Sequence, residues 1–244
     1  MAWVLDLDGV VWLADQPVPG AAAAVGRLRA AGERVLFVTN NSFARVADQE
    51  AKLARFGIPA RGDVVTSAMA AATLVEPGER VLVCGGPGIV VAMADRGARP
   101  VRDGEAEVVA VGFHRDFDYE RLRLAAQAVR AGARLVATNG DATYPTPDGP
   151  IPGGGAIVAA VAYATGVAPI VAGKPHPPMA ALVRALVGDE GTVVGDRPET
   201  DGAFSTTLGY RFALVFTGVT GAEDLPVKPE PDVVAASLDA LVSS

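Results

Sequence analysis

The sequence predicts an α/β protein built on a doubly wound, parallel sheet with a smaller α/β domain inserted into it. Two observations carry this. Short apolar, β-branched runs alternate with helix-length segments at both ends of the chain, joined by short connections. A separate strand-and-helix run between residues 79 and 171 interrupts that alternation, and 244 residues suffice for two domains of ordinary size.

Residues 2–5 are an apolar run suited to a buried strand, and residues 20–31 form a helix that Gly32 ends. A strand over 34–38, a helix over 45–56 stopped by Gly57, and a strand over 63–65 follow, after which Ser67 can cap the next helix. The pattern resumes with strands at 192–194 and 211–216 and closes with a helix near 233–242, so one sheet contains both ends of the chain. Inside the insert, strands fall at 80–84, 107–112 and 134–137, with helices between them. Pro77-Gly78 at its entry and the turn at 167–169 before its exit make natural hinges, which divides the chain into a core of 1–78 and 172–244 and an insert of 79–171. The uncharged stretch 149–173 has the length of a membrane span, but Pro150, Pro152, Gly153 to Gly155, Gly166 and Pro169 break it into a short helix over 156–165 and a strand over 169–172.

A net charge of −7 excludes a non-specific grip on nucleic acid or an anionic membrane. Cys84 is the single cysteine, so no intrachain disulfide forms, and its expected place is a buried strand end. The first residues lack a basic segment followed by an apolar one, and the expected compartment is the cytoplasm.

Four motifs stand just past apolar runs, where open α/β sheets place their chemistry: Asp6-Leu7-Asp8-Gly9, Thr39-Asn40-Asn41-Ser42, Gly173-Lys174-Pro175, and Gly195-Asp196 through Asp201. Together they predict phosphoryl transfer around Mg²⁺. Asp6 at a strand end can act as nucleophile, and Asp8 can protonate the leaving group and then activate water. Thr39 and the backbone around Asn40 and Asn41 can donate to phosphoryl oxygens. Lys174 can screen the repulsion between Asp6 and an incoming phosphate. Asp6, Asp196 and the Asp8 carbonyl can hold Mg²⁺, with Asp201 as a further or outer ligand. Other chemistries fail on spacing. Gly85-Gly86-Pro87-Gly88 does not satisfy GxGxxG, Gly153 to Gly155 precede no Lys-Ser or Lys-Thr, and Val10 breaks an EF-hand. His114 and His176 with a lone cysteine make no zinc site.

The motifs, their order and their strand context resemble the haloacid dehalogenase-like superfamily of aspartate-nucleophile phosphatases. The likeness extends to Val10-Val11-Trp12, to the stretch from Ala137-Thr138-Asn139-Gly140-Asp141 to Pro152-Gly153-Gly154-Gly155, and to Leu214-Val215-Phe216-Thr217-Gly218-Val219. It is similar to the type IIA branch, which includes ribonucleotide monophosphatases, 4-nitrophenylphosphatases, and phosphoglycolate and pyridoxal phosphate phosphatases. The resemblance implies a Rossmann-like core with the insert as a cap that selects the leaving group, and a small phosphorylated metabolite as substrate. It also implies Asp6 as nucleophile, Asp8 as acid and base, Lys174 as charge neutraliser, Thr39 and Asn40 at the phosphate, Asp6, Asp8 and Asp196 around Mg²⁺, and a homodimer through the cap; Gly9 and Asn41 are further candidates for the phosphate. Two departures stand out: Pro198-Glu199 where Leu-Asp is common, and Gly140 where Pro is frequent before the cap aspartate. Within the loop 139–152, Asn139 and Tyr144 are candidates for substrate contact, Tyr144 because an aromatic ring can stack on a base or pyridine. Arg45 is a further candidate. Two alternatives are a dehalogenase on the same scaffold and a phospho-acceptor signalling or binding module without turnover. Asp8 argues against the first, because carbon–halogen displacement needs no acid; the insert and Asp8 together argue against the second.

Overall fold

In the computed structural model, which describes residues 1–144, 146 and 149–243, Ala2–Leu5 forms an interior strand of a six-stranded parallel sheet. Val4 and Leu5 are buried, and the run contains no polar side chain, the signature of a strand covered on both faces. Arg34–Thr39 pairs along one side and Gly191–Gly195 along the other, with Leu5 in register with both Phe37 and Val194. Val64–Thr66 lies beyond the first of these neighbours; Arg211–Val215 and then Val233–Ala235 lie beyond the second. The chain winds outward from Ala2–Leu5 in one direction and later in the other, so the order reverses at its carboxyl end, where Asp6 stands. This unit comprises Met1–Thr39, Ala47–Val65 and Lys174–Ser244.

A second unit, Asn40–Val46 with Thr66–Gly173, has its own parallel sheet. Its strands run in the order Ile170–Val171, Arg134–Ala137, Val108–Val111, Arg80–Cys84, Arg99–Val101. Ala125 and Val129 of the helix Tyr119–Arg130, and Ile157 and Val161 of the helix Gly154–Thr165, pack on Val109, Val111, Leu135 and Ala137. The four-residue spacing in each helix puts one apolar stripe on the sheet. The glycine cluster opens the helix Pro87–Asp95 and lets backbone approach closely: a Cβ on Gly88 would meet the Ala44 carbonyl oxygen at 2.3 Å. The fold is thus a doubly wound parallel sheet with an inserted α/β unit, as the alternation predicts.

Some elements differ from expectation. Thr66, and not Ser67, caps the helix Ser67–Ala72, its hydroxyl accepting from the Met69 N–H at 3.3 Å. Ser67 is the first helical residue, and its hydroxyl donates to the Asn40 carbonyl at 2.7 Å. The helix expected near 233–242 splits into the edge strand Val233–Ala235 and the helix Leu238–Ser243, whose start Ser237 caps by accepting from the Ala240 N–H. A Val-Val-Ala run suits either state, and pairing with Ala213 to Val215 decides it. The edge strand Arg99–Val101 is short and carries Pro100, which hides it from a periodicity reading. Among the described residues no helix is long and apolar enough to cross a membrane, and the stretch 149–173 holds the helix Gly154–Thr165.

Candidate active site

Asp6 continues the first strand by one ladder bond, its N–H donating to the Val194 carbonyl at 2.9 Å, so its side chain leaves the sheet from a fixed backbone. Lys174 lies 2.8 Å from Asp6 Oδ1 and 2.7 Å from Asp201 Oδ1, with its side chain only 3% exposed. Asp201 reaches the ammonium because the wide turn Pro198–Gly202 folds back on Arg197, whose N–H donates to Asp201 Oδ2 at 3.2 Å. Gly195 permits that approach, since a Cβ there would lie 2.2 Å from Asp201 Cβ.

Asp196 follows the strand Gly191–Gly195 and is held from one side only. Its Oδ2 accepts from the Val219 N–H at 2.6 Å, while its Oδ1 is buried with no hydrogen-bond partner. Two glycines make room for the carboxylate. A Cβ on Gly218 would stand 1.9 Å from Asp196 Oδ2, and one on Gly9, where φ is +84°, would stand 2.4 Å from Asp196 Cγ.

Oxygens of Asp6, Asp196 and Asp201 lie within 4.8 Å of one another, and the Lys174 ammonium contacts those of Asp6 and Asp201. Burial pushes the Asp6 carboxyl well above the usual range; Lys174 opposes this, and Asp201 and Asp196 add to it. Burial and then the Asp201 charge push Asp196 up to about 6. Burial pulls Lys174 down, but the charges of Asp201 and Asp6 outweigh it and hold the ammonium above the ordinary lysine range. A buried, unpartnered carboxylate oxygen amid uncompensated negative charge is the donor set that a hard divalent cation satisfies. The residues therefore fit Mg²⁺.

Asp8 occupies the turn that follows Asp6. Val11 and Trp12 N–H groups both donate to the Leu7 carbonyl, and the Gly9 N–H donates to the Trp12 carbonyl at 2.7 Å, so the chain reverses within one tight loop. Asp8 Oδ1 accepts from Trp12 Nε1 at 2.9 Å. Burial raises the Asp8 carboxyl, and the Trp12 bond pulls the other way. Thr39 ends the strand beside the first one and is buried.

The remaining sequence candidates lie in the second unit. The Asn40 carbonyl accepts from Ser67 Oγ and from Asn139 Nδ2, each at 2.7 Å, and Asn40 Nδ2 donates to Asp141 Oδ1 at 3.2 Å. Asn41 Oδ1 accepts from the N–H groups of Phe43 and Ala44, while its Nδ2 reaches the Tyr144 hydroxyl at 3.5 Å. The Tyr144 ring is stacked on Phe113 with centroids 4.8 Å apart and planes 6° apart. Arg45 is exposed. Pro145, Pro147 and Asp148 of the loop 139–152 lie outside the described residues.

His176 precedes the helix Pro177–Val187 at its cap position. His114 is buried in the second unit with Nδ1 3.0 Å from the Gly112 carbonyl oxygen. Cys84 is buried beside it, and burial pushes its thiol up to about 12. Sequence reasoning assigned no role to Trp12, Gly218 or Val219. Trp12 sits four residues after Asp8, a spacing that does not itself announce a hydrogen bond.

Comparison with known proteins agrees with this geometry. The family model for haloacid dehalogenase-like hydrolases matches residues 3–99, and a second, for HAD-like hydrolases, matches residues 171–241. The chain is 41% identical over 231 residues to D-glycerol 3-phosphate phosphatase from Mycobacterium tuberculosis, covering 91% of this chain and 64% of that protein, so it spans less than two thirds of that relative. It is 34% identical over 237 residues to acid sugar phosphatase from Staphylococcus aureus, covering 94% of this chain and 92% of that protein. A solved structure of glycerol phosphate phosphatase from Mycobacterium tuberculosis in complex with magnesium is similar with a TM-score of 0.91 and 38% identity, over 98% of this chain and 75% of that one. By sequence over nearly its whole length and by fold, this chain belongs to the haloacid dehalogenase-like hydrolases.

Proposed function

We propose that the protein is a Mg²⁺-dependent phosphatase that hydrolyses a small phosphomonoester metabolite through an aspartyl-phosphate on Asp6. The observation that carries this is the pairing of Asp6 with Lys174 next to the unpartnered, buried Oδ1 of Asp196, a nucleophile and a cation site side by side. Asp6, Asp196 and the Asp8 carbonyl would hold the ion, which would supply charge neutralisation for the phosphoryl oxygens. Both oxygens of Asp201 are engaged, by Lys174 and by the Arg197 N–H, which supports an outer-shell role that fixes Lys174.

In the first step an Asp6 oxygen attacks phosphorus, the bond from phosphorus to the leaving oxygen breaks, and the Asp8 carboxyl protonates that oxygen. In the second, water attacks the acyl phosphate, its proton passes to the Asp8 carboxylate, and Asp6 is released with inorganic phosphate. Lys174 screens Asp6 from the approaching dianion. Asp8 favours this over dehalogenation, because an alkoxide gains about 10²- to 10⁴-fold from a positioned acid.

The assignment extends to Gly9, Thr39, Asn40 and Asn41 as phosphate-binding positions, and to Arg45, Asn139 and Tyr144 as candidate leaving-group contacts. It takes residues 79–171 as the cap, the cytoplasm as the compartment, and the cap as the surface of a homodimer. Relatives named D-glycerol 3-phosphate phosphatase and acid sugar phosphatase favour a small alkyl phosphate over a nucleotide or pyridoxal phosphate. The test is phosphate release from 4-nitrophenyl phosphate and a panel of phosphorylated metabolites, with wild type and Asp6→Asn in parallel, with and without Mg²⁺. Release by wild type alone and only with Mg²⁺ is expected; turnover by Asp6→Asn at the wild-type rate, or activity surviving chelation, refutes it.

A further inference from the structure

We propose that Trp12 is a positioning residue for Asp8: its indole N–H holds one carboxyl oxygen, so that the other carries the transferred proton. The inference rests on the reading of Asp8 as acid and base given above.

Trp12 is 2% exposed, and its Nε1 stands 2.9 Å from Asp8 Oδ1. An indole nitrogen donates and never accepts. In a protonated carboxyl the carbonyl oxygen is the stronger acceptor, so the indole bond to Oδ1 favours the form with the acid proton on Oδ2. That is the oxygen that gives its proton to the leaving alkoxide as the phosphorus–oxygen bond breaks, and that takes a proton from water when the acyl phosphate is cleaved. A carboxyl free to rotate would divide its proton between two oxygens.

The indole is itself clamped. Lys52 Nζ lies 4.4 Å from the ring centroid, and the same ammonium donates to the Ala14 carbonyl at 2.5 Å and pairs with Asp15 at 3.5 Å. Phe56 meets the ring edge-on, with centroids 6.0 Å apart and an interplanar angle of 62°. Lys52 and Phe56 are four residues apart, one in the helix Val46–Arg55 and the other just past its end, so one short segment fixes both contacts. A tryptophan that merely filled space would need neither a cation on its face nor an N–H aimed at Asp8.

Trp12→Phe keeps an aromatic ring against Lys52 and Phe56 and removes the donor. The readout is kcat/KM for glycerol 3-phosphate, whose alkoxide needs a proton to leave, relative to 4-nitrophenyl phosphate, whose phenolate does not. The expected result is a fall of about tenfold in that alkyl-to-aryl ratio, a part of the 10²- to 10⁴-fold that a positioned acid supplies. An unchanged ratio, however far both rates fall, assigns Trp12 a packing role and overturns the proposal. Asp8→Asn in the same assay separates the two readings. If its ratio also stays at the wild-type value, the acid role of Asp8 fails; if its ratio falls and that of Trp12→Phe does not, only the Trp12 assignment fails. Should Trp12→Phe not fold, 3-benzothienylalanine at position 12 replaces the N–H with sulfur at nearly the same shape and gives the same readout.

Discussion

Lys174 donates to Asp201 Oδ1 at 2.7 Å, and both side chains are buried, so the ammonium that faces Asp6 is held in place from behind by a second carboxylate. Because the other oxygen of Asp201 accepts from the Arg197 N–H, the residue is tied at both ends and its position depends on the wide turn Pro198–Gly202. Asp201→Ala removes the buried carboxylate that stands 2.7 Å from the Lys174 ammonium. Asp6 stays 2.8 Å from the ammonium, so the loss expected in urea unfolding of the metal-free protein is smaller than the about 3–5 kcal/mol of a buried charge left with no partner. An unfolding midpoint equal to that of wild type would show that Asp201 does not anchor the lysine.

Gly218 has to be a glycine because its neighbour is a carboxylate. A Cβ at that position would fall 1.9 Å from Asp196 Oδ2, which is inside any real contact, and the carboxylate would have to leave the Val219 N–H that orients it. Gly218→Ala is therefore expected to weaken Mg²⁺ binding by about 10- to 100-fold, the range for lost support of a metal ligand. Isothermal titration of the purified variant with Mg²⁺ measures this, and wild-type affinity would contradict the assignment of Asp196 to the cation.

The stabilisation that Mg²⁺ confers should depend on pH. The Asp196 carboxyl rises from 3.8 to about 6 in the folded state because it is buried and faces Asp201. Between those values the folded chain holds a proton that the unfolded chain has lost, so the metal-free protein loses stability as pH rises through that window. Mg²⁺ competes with the same proton. The rise in Tm on adding Mg²⁺ should accordingly be small near about pH 5 and large near about pH 7.5, where the carboxylate is free to bind. Thermal unfolding at a series of pH values, with Mg²⁺ or with a chelator, gives the comparison; a Mg²⁺-induced shift independent of pH would remove Asp196 from the site.

Asp8→Asn keeps the size of the side chain and removes its capacity to exchange a proton. A loss of about 10²- to 10⁴-fold in kcat on an alkyl phosphate is expected, while Asp6→Asn abolishes steady-state turnover. Acid quench of Asp8→Asn incubated with a radiolabelled substrate should recover phosphate bound to protein, and Asp6→Asn should recover none.

The sheet was readable in the sequence because burial on both faces writes itself as uninterrupted apolar runs; the residues just past 2–5, 34–38 and 192–194 fall at one edge of it, whereas the run before Lys174 pairs with Arg134–Ala137 in the sheet of the second unit. Asp6, Thr39, Lys174, Asp196 and Asp201 were singled out by their places after apolar runs together with their residue types and the order of their motifs. Where a run was short or of mixed propensity the reading broke down: Val233–Ala235 is a strand because Ala213 to Val215 pair with it, and Arg99–Val101 is a strand in spite of Pro100. Other relations were fixed by the tertiary structure. Local pattern records which residues face inward, but it does not record which of them meet. Lys174 between Asp6 and Asp201, the carboxylate of Asp196 between Gly9 and Gly218, and the indole of Trp12 between Asp8 and Lys52 each depend on segments brought together by sheet order and loop closure. Hydrogen bonds and ion pairs act over about 3 Å, a scale that periodicity along the chain cannot resolve.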